Sequence, residues 1–509
     1  MRYFAVLAMG ALFAAQPVVA QMGAPGERVP AGMTGVPGPL TAKYQADADK
    51  ILTAAMADND GYAALTYLCD HIGKRLSGSP QLNTAVEWGA ELMRNAGLQN
   101  VKVQPVMVPH WVRGNESGMM ITKGKGPIDR PLHMLGLGMS VGTPKAGITA
   151  DVVFAPTFEA FDAMTPEQVK GKIVMFDPGW QGYGVNSLYR QTSASRAAAK
   201  GAVAVLVRSA TGLAMQIPHT GTLRYDEAQP KIPAAAITVE DALMIERLVK
   251  EGPVQVHLQM DAHMEADVQA GNVMGEIVGS EHPEQVVVLG GHIDSWDVGQ
   301  GAQDDGSGIM ATFEAVSLIH KLGLKPKRTI RIVFWVNEEN GGAGGRAYRQ
   351  MIGDKIGDQV AAFEMDGGAE KPLGIGYSAV AGAGGAGGGR RGGAAPAGPR
   401  PAAQMTPEEK QSEEWMLQIV ALLKSIGTDT LAGGGGGSDI GPITADGVPA
   451  LSPRTSAGHY FDWHHTETDT LDKVDPDDFK RNTAMLSVVA YVLADMDGRL
   501  VGHKGVNRE

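Results

Sequence analysis

Apolar residues recur every three or four positions in the early part of the chain, which predicts helices. The predicted helices cover residues 46–56, 61–72 and 82–96. From residue 100 to residue 108 apolar and polar residues alternate instead, as in a strand with one buried face. These patterns indicate the opening part of an α/β domain.

Between residues 130 and 260 the pattern changes to short strand-like runs separated by proline and glycine turns, which is typical of a β-rich unit. Two helix-like stretches, 193–200 and 239–251, interrupt these runs. We therefore expect a β-rich module at 130–260 that is inserted into the first domain. In the alternative, the same strands extend the main sheet. The predicted strands cover residues 151–154, 172–176, 202–207, 234–238 and 254–259.

After Asn272 long apolar strands alternate regularly with helices, which predicts a mostly parallel, mixed sheet sandwiched by helices. Ligands of such sheets bind at the carboxyl ends of the strands. Thr406 and Glu409 have the spacing of a helix capping box. The predicted strands cover 285–291, 329–336 and 359–364, and the predicted helices cover 307–322, 345–351, 406–426 and 476–496.

The length of the chain, 509 residues, exceeds what one hydrophobic core usually serves, so we expect two domains. The main domain is predicted at 41–129 plus 261–509, and the inserted domain at 130–260. The net charge of −12 argues against a nucleic acid or an anionic membrane surface as a partner.

Residues 1–20 have the order of a secretory signal peptide: Arg2, an apolar run over 3–15, and small residues up to Ala20. The apolar run is too short to span a membrane, so we expect no integral membrane segment after cleavage near Ala20. The mature protein is predicted to be secreted or periplasmic.

Two further segments are rich in glycine, proline or alanine, and we expect both to be disordered. The first is the lead-in at 21–40, and the second is a low-complexity loop at 378–404 within the main domain. Cys69 is the sole cysteine, so no internal disulfide can form, and any metal must be held by nitrogen and oxygen.

Acidic and histidine residues cluster at the ends of three consecutive predicted strands, and a fourth cluster lies at 463–469. Repulsion and desolvation of so many acids at one edge of a sheet would destabilise the fold unless cations were bound. Two divalent metals would resolve this, with zinc as the leading choice and cobalt or manganese as alternatives. The strand-end clusters are His292, Asp294, Asp304 and Asp305, then Glu338 and Glu339, then Glu364 and Asp366.

A site for two metals needs a bridging carboxylate, a histidine and a carboxylate for each ion, and a free carboxylate as general base. Glu338 and Glu339 are natural candidates for base and ligand because neighbours at a strand end point in different directions. The spacing alone does not decide between His464 and His465.

The tracts that carry these residues are, in order, GGHIDSWDVGQGAQDDGSG, WVNEEN, EMDGG and HHTETD. As a set they resemble the co-catalytic dizinc exopeptidases, and the resemblance covers most of residues 45–497. It implies the zinc-exopeptidase fold, an inserted protease-associated domain at about 130–260 and a homodimer. The sequence departs from the family pattern at 378–404, which puts the shape of the substrate pocket in doubt.

The resemblance also implies residue roles, with Asp304 as the bridge between two zinc ions. His292 and Asp366 would hold one ion, and Glu339 and His465 would hold the other. Glu338 would be the general base. Asp294 would orient His292 through its other ring nitrogen.

The predicted function is that of an exported zinc exopeptidase that hydrolyses short peptides or dipeptides in the manner of a carboxypeptidase. Alternatives are an aminopeptidase of the same family, a one-metal cyclase of amino-terminal glutamine, and a non-catalytic receptor-like protein with this fold. Arg454, Tyr460 and Asp439 are candidates for binding a substrate terminus, but the sequence does not tell which of them faces it.

Overall fold

The structure, a computed structural model, describes residues 32–124, 126–380 and 405–502. The predicted signal peptide, residues 21–31 of the lead-in and residues 381–404 of the low-complexity loop lie outside the described residues.

Two mixed β-sheets organise the described residues. In chain order the strands are β1 (Met33–Thr34), β2 (Gln99–Val112), β3 (Glu116–Gly124), β4 (Gly126–Leu132), β5 (Met134–Gly136), β6 (Ile148–Ala155), β7 (Ile173–Phe176), β8 (Ala204–Arg208), β9 (Ala234–Ile237), β10 (Val254–Met260), β11 (His263–Ile277), β12 (His282–His292), β13 (Arg328–Trp335), β14 (Gln359–Glu364), β15 (Pro372–Tyr377), β16 (Thr430–Gly433) and β17 (Ala450–Thr455).

Helices lie between and around these strands. They are α1 (Pro39–Ala57), α2 (Asp60–Tyr67), α3 (Pro80–Asn95), α4 (Phe158–Asp162), α5 (Pro166–Val169), α6 (Tyr183–Ala198), α7 (Val239–Glu251), α8 (Ser307–Lys321), α9 (Ala343–Ile352), α10 (Pro407–Val420), α11 (Gly441–Thr444), α12 (Tyr460–Trp463) and α13 (Pro476–Asp495).

The main sheet has the strand order β1-β16-β15-β17-β14-β12-β13-β11-β2. Its central strands β17, β14, β12 and β13 are parallel, whereas β11 and β2 continue it antiparallel at one side. The predicted mixed α/β fold is thereby confirmed. Since the central strands are parallel, their carboxyl ends meet at one edge of the sheet.

Helices bury both faces of the main sheet, and β12 illustrates this. Val287 and Leu289 belong to the large core that includes α1, α8 and α13. Val286 and Val288 face the other way, into a second core with Tyr348 of α9. Because both faces are covered, the strand reads as a continuous apolar run rather than an alternating one.

Part of the segment for which we expected no order pairs with the main sheet. β1 is antiparallel to β16, with Met33 opposite Leu431. A Cβ atom at Gly35 would lie 2.5 Å from the backbone nitrogen of Ala421, so glycine lets this segment lie directly against the start of the turn after α10. Glycines that read as disorder in the sequence thus permit close packing here.

The second sheet is separate from the main one and has the order β4-β3-β10-β6-β7-β8-β9-β5. Strands β6 to β9 are parallel, and the pairs on either side are antiparallel. The sheet includes β3 and β4, so it begins before the boundary expected at residue 130. The sequence shows no break there because β2 and β3 are both strand-like and only three residues separate them.

None of the helices within the described ranges combines the length and the apolar character needed to cross a lipid bilayer.

Candidate metal centre

His292 ends β12 and stands beside the carboxyl end of β14, where Gly290 is paired with Glu364. Its Nε2 lies 3.1 Å from Oδ1 of Asp304 and 3.3 Å from Oδ1 of Asp366. Its Nδ1 lies 2.9 Å from the backbone carbonyl oxygen of Asp294. Because a carbonyl oxygen only accepts, Nδ1 donates to it, and Nε2 faces the two carboxylates, where it would be the ligand atom for a metal ion.

Asp294 contacts Nδ1 of His292 most closely through its backbone, since its carboxylate lies 3.9 Å from that atom and binds the next loop. This carboxylate accepts hydrogen bonds from the backbone nitrogens of Glu338 at 3.1 Å and Glu339 at 3.3 Å. The hydroxyl of Ser77 donates a third, at 3.3 Å. Asp294 thus fixes the position of the loop that carries both predicted glutamates.

Asp304 lies at the centre of the site, with one carboxylate oxygen facing each side. Its Oδ1 faces His292, and its Oδ2 lies 3.3 Å from Nε2 of His465 and 3.5 Å from Nε2 of His464. Burial alone would raise the pKa of Asp304, but hydrogen bonds from His292 and His465 outweigh it and hold the pKa well below its usual range. These contacts favour the ionised form of Asp304.

Asp469 fixes the backbone of the turn that presents Asp304. Its Oδ1 accepts from the backbone nitrogens of Ala302 at 3.1 Å and Gln303 at 2.7 Å, and its Oδ2 accepts from that of Asp304 at 3.1 Å. Asp305, the next residue, accepts from the backbone nitrogen of His292 at 3.0 Å. Asp469 stands in the HHTETD tract, but its supporting contact was not predicted.

The remaining two predicted ligands, Glu339 and His465, also meet. Oε2 of Glu339 lies 3.1 Å from Nε2 of His465. The ring of His464 stacks on that of His465, with the ring centroids 3.5 Å apart. Both histidines reach Asp304, and His465 in addition contacts Glu339, which favours His465 as the ligand left undecided by the spacing.

The inserted domain contributes to this side of the site. The backbone nitrogen of Thr220 donates to the backbone carbonyl of His465 at 3.0 Å, and Nδ1 of the His465 ring lies 3.2 Å from the carbonyl of Thr220. The hydroxyl of Thr222 donates to the backbone carbonyl of Glu339 at 2.5 Å. Sequence reasoning missed these contacts because no motif links segments so far apart in the chain.

Arg75 supports the loop between His292 and Asp304 and was also missed. Its guanidinium is fully buried and donates to the backbone carbonyls of Ile293 at 2.5 Å, Gln300 at 2.8 Å and Gly301 at 3.0 Å. Burial lowers the pKa of Arg75. A lone arginine in a turn between two predicted helices carries no recognisable signal in the sequence.

Burial and mutual repulsion destabilise the charged forms of the acids around Asp304. Burial, with repulsion from Asp304 as the second cause, raises the pKa of Glu339 to about 8. Burial also raises the pKa of Asp366 to about 6. Oε1 of Glu339 and Oδ1 of Asp305 are buried without a hydrogen-bond partner among the described residues. Bound cations would stabilise the charged carboxylates, so these residues fit a metal centre.

Among the described residues, two overlapping groups of ligand atoms could each hold a metal ion, and within each group the atoms lie within 4.8 Å of one another. Both groups contain Asp304. All donors are imidazole nitrogens or carboxylate oxygens, which suits zinc and related divalent ions. The groups are His292, Asp304 and Asp366, and Asp304, His464 and His465.

Glu338, predicted as the general base, is half-buried next to Glu339. Like the predicted ligand Glu339, it belongs to neither group of three, and its backbone is held by Asp294. The structure thus brings every predicted site residue to one edge of the main sheet, with Glu338 beside the two ligand groups.

A mixed sheet with such a donor set at its carboxyl edge, next to an inserted β-rich domain, is the arrangement of a metallopeptidase. Residues 272–490 match Peptidase family M28, and residues 147–245 match the PA domain. The chain belongs to peptidase family M28 and is a metallo-exopeptidase, a hydrolase of peptide bonds. This confirms the family expected from the motifs.

Particular relatives are carboxypeptidases Q. The chain is 38% identical over 445 residues to carboxypeptidase Q of Homo sapiens, covering 87% of each chain. It is 38% identical over 463 residues to carboxypeptidase Q of Xenopus laevis, covering 90% of this chain and 92% of the relative.

Solved structures agree on the fold. A peptidase M28 precursor from Shewanella amazonensis SB2B superposes with a TM-score of 0.79 at 30% identity, covering 90% of this chain and 98% of that one. BSAP, a zinc aminopeptidase from Bacillus subtilis, has a TM-score of 0.60 at 20% identity and covers 86% of this chain and 94% of its own. At that identity the second comparison supports the fold alone.

Proposed function

We propose that the protein is an exported exopeptidase that uses two zinc ions to hydrolyse short peptides or dipeptides in the manner of a carboxypeptidase. One observation carries the proposal: the two carboxylate oxygens of Asp304 contact His292 on one side and His465 on the other. Each histidine also contacts one further acid, Asp366 or Glu339. A shared carboxylate with a histidine and an acid on each side suits a pair of metal ions.

His292 and Asp366 would hold one ion, Glu339 and His465 would hold the other, and Asp304 would bind both. Cobalt or manganese would also suit these donors. When bound, the ions supply Lewis-acid polarisation of the scissile carbonyl and make a water molecule more acidic.

Glu338 acts as the general base in this proposal. Its carboxylate takes a proton from the attacking water and passes it to the leaving amine. Asp294 keeps Glu338 in place by accepting the hydrogen bond from its backbone nitrogen. Asp294 also keeps the lone pair of His292 directed at the ligand group through the contact to Nδ1.

A peptide-library digest combined with metal analysis of the same sample tests the proposal. We expect release of single residues or dipeptides from the carboxyl terminus and about two zinc ions per chain. Zinc-loaded protein that leaves every peptide intact would refute the peptidase assignment, and a ratio near one ion per chain would favour the cyclase.

An aminopeptidase of the same family is the second candidate function. Over 208 residues the chain is 29% identical to the probable leucine aminopeptidase 2 of Aspergillus oryzae, covering 40% of this chain and 39% of the relative. Asp439 is buried, with no hydrogen-bond partner for either carboxylate oxygen among the described residues. Burial and repulsion from Glu364 raise its pKa well above the usual range, and a bound substrate amine would offset both effects. Peptides blocked at one terminus discriminate: a blocked carboxyl terminus stops a carboxypeptidase, and a blocked amine stops an aminopeptidase.

Export and dimer formation complete the proposal. The order of charged, apolar and small residues in 1–20 supports cleavage near Ala20. A mature protein whose amino-terminal sequence began at Met1 would refute export. The family resemblance supports a homodimer, which sedimentation of the purified protein tests.

A further inference from the structure

We propose that residues 220–222 of the inserted domain, with the Thr222 hydroxyl as the positioning group, set the affinity for the ion at Glu339 and His465. This inference rests on the proposed function, since it concerns the ligands named there. It adds that the inserted domain positions the ligands of one of the two metal ions.

His465 has an unusual backbone that this segment supports. Its φ is +61°, in the left-handed region that residues other than glycine rarely adopt. Thr220 bonds both to the backbone carbonyl of His465, at 3.0 Å, and to Nδ1 of its ring, at 3.2 Å. The two contacts fix the backbone and the ring together, so that Nε2 faces Asp304 and Glu339.

Glu339 is held by the same segment, two residues further on. The Thr222 hydroxyl donates to the Glu339 carbonyl at 2.5 Å, a contact that crosses from the inserted domain to the loop after β13. Asp294 holds the Glu339 backbone nitrogen at 3.3 Å from the opposite direction. The peptide groups on both sides of the Glu339 Cα are therefore held, one by each domain.

The segment is itself rigidly placed within the inserted domain. The backbone nitrogen of Gly138 donates to Gly221 at 3.0 Å, and that of Leu223 donates to Gly138 at 3.0 Å. Arg190 of α6 donates to the Thr220 carbonyl at 3.3 Å. Gly221 has a φ of +135°, and a Cβ atom there would lie 2.4 Å from Cζ of Arg190, so glycine allows the guanidinium to pack on the segment.

A second contact between the domains supports the same side of the site. Arg113, between β2 and β3, donates to the carbonyl of Gly136 in the inserted domain at 2.5 Å and makes two hydrogen bonds to the carboxylate of Asp297, at 2.6 and 2.7 Å. The preceding residue, Trp296, is part of a core of the inserted domain, and its ring packs 5.5 Å from the ring of His465. By contrast, the contacts described for His292 and Asp366 are made by residues of the main domain.

Removing a group that orients a metal ligand commonly weakens metal binding about 10- to 100-fold. Thr222→Val removes the hydroxyl with little change of shape, and Thr222→Ser keeps it. Thr149→Val is a matched control, because this exposed threonine of the inserted domain bonds to His257 instead. Arg190→Gln removes the donor to the Thr220 carbonyl and a guanidinium contact to Nδ1 of His465 at 3.4 Å, and it leaves Thr222 intact.

The experiment titrates the metal-free full-length variants with Zn²⁺ against a chromogenic chelator and records their thermal unfolding. We expect wild type, Thr222→Ser and Thr149→Val to bind two ions equally well. Thr222→Val should bind one ion about 10- to 100-fold more weakly and the other within about twofold, with the metal-free form still unfolding in one cooperative transition. Arg190→Gln should also weaken the binding of one ion only. It therefore tests the inference even if Thr222→Val does not fold.

A double variant identifies the weakened ion. Thr222→Val added to His465→Ala should leave the affinity for the remaining ion unchanged, because the affected ion is already lost. Equal weakening of both ions, or none, in Thr222→Val and Arg190→Gln would overturn the inference while the proposed function stands. Wild-type protein that bound fewer than two ions would overturn both.

Discussion

On one side of Asp304, His292 and Asp366 follow the carboxyl ends of the parallel strands β12 and β14, within a single rigid sheet. On the other side, Glu339 and His465 lie in loops, and contacts from the inserted domain hold them. The loop side contains two residues in the left-handed region, Asn337 at φ +66° and His465 at φ +61°. A strand end positions a ligand through local structure, whereas a loop needs support from residues far along the chain.

Replacing Asp304, the ligand that both proposed metal positions share, should remove both ions alike. In Asp304→Asn the carboxylate common to both ligand groups is lost, so we expect both ions to dissociate and nearly all turnover to disappear. Metal analysis after gel filtration measures this, with the exposed acid Asp49 changed to Asn as a control. Retention of one ion would mean that one side binds metal independently of Asp304.

Replacing the general base should stop turnover and leave metal binding at both positions unchanged. Glu338→Gln should reduce kcat about 10²- to 10⁴-fold, because Glu338 is the proposed proton carrier and is not one of the five proposed metal ligands. Metal content and kcat are measured on the same preparation. Full activity with two bound ions would show that another group is the base.

Arg75→Lys should destabilise the loop between His292 and Asp304, whereas a change at Thr222 should affect only the metal position at Glu339 and His465. A lysine cannot reach the carbonyls of Ile293, Gln300 and Gly301 at once, so the loop that joins His292 to Asp304 loses support. We expect a loss of about 1–3 kcal/mol in the free energy of unfolding, measured by urea denaturation.

The matched control for Arg75→Lys is Arg94→Lys on the exposed surface of α3. It should change the free energy of unfolding by less than about 0.5 kcal/mol. If the two variants were equally stable, the buried hydrogen bonds of Arg75 would have no structural importance.

The smallest expected difference is in the order of metal loss. A chelator should remove the ion on the loop side about tenfold faster than the ion on the strand side, because loops open locally more often than central strands. Anomalous diffraction from partly depleted crystals would identify the remaining ion. If the ion that persisted lay between Glu339 and His465, the position held by loops would be the more tightly bound one, contrary to this expectation.

The strand side of the site was also the part that the sequence predicted best. The predicted strand at 359–364 coincides with β14. The capping box was correct as well: Thr406 and Glu409 exchange the two expected hydrogen bonds, at 2.7 and 3.2 Å. Such features depend on neighbours in the chain, so local pattern and spacing suffice to predict them.

What the sequence did not reveal depends on contacts between distant segments. β11, the fifteen-residue strand that joins β13 to β2, lies where no element was predicted, since its polar first half is solvent-exposed. Arg75, Thr220 and Thr222 act on backbone carbonyls, and any residue type supplies a carbonyl. No pattern of side chains therefore points to them.

The two-residue strand β1 has a consequence for how the chain tolerates shortening. It occupies the outer edge of the main sheet and covers the backbone groups of β16 that would otherwise face solvent. Open strand edges pair readily with other chains and promote aggregation. A fragment that starts at α1 would lack β1, so we expect it to expose the outer edge of β16 and to aggregate more readily than the longer chain.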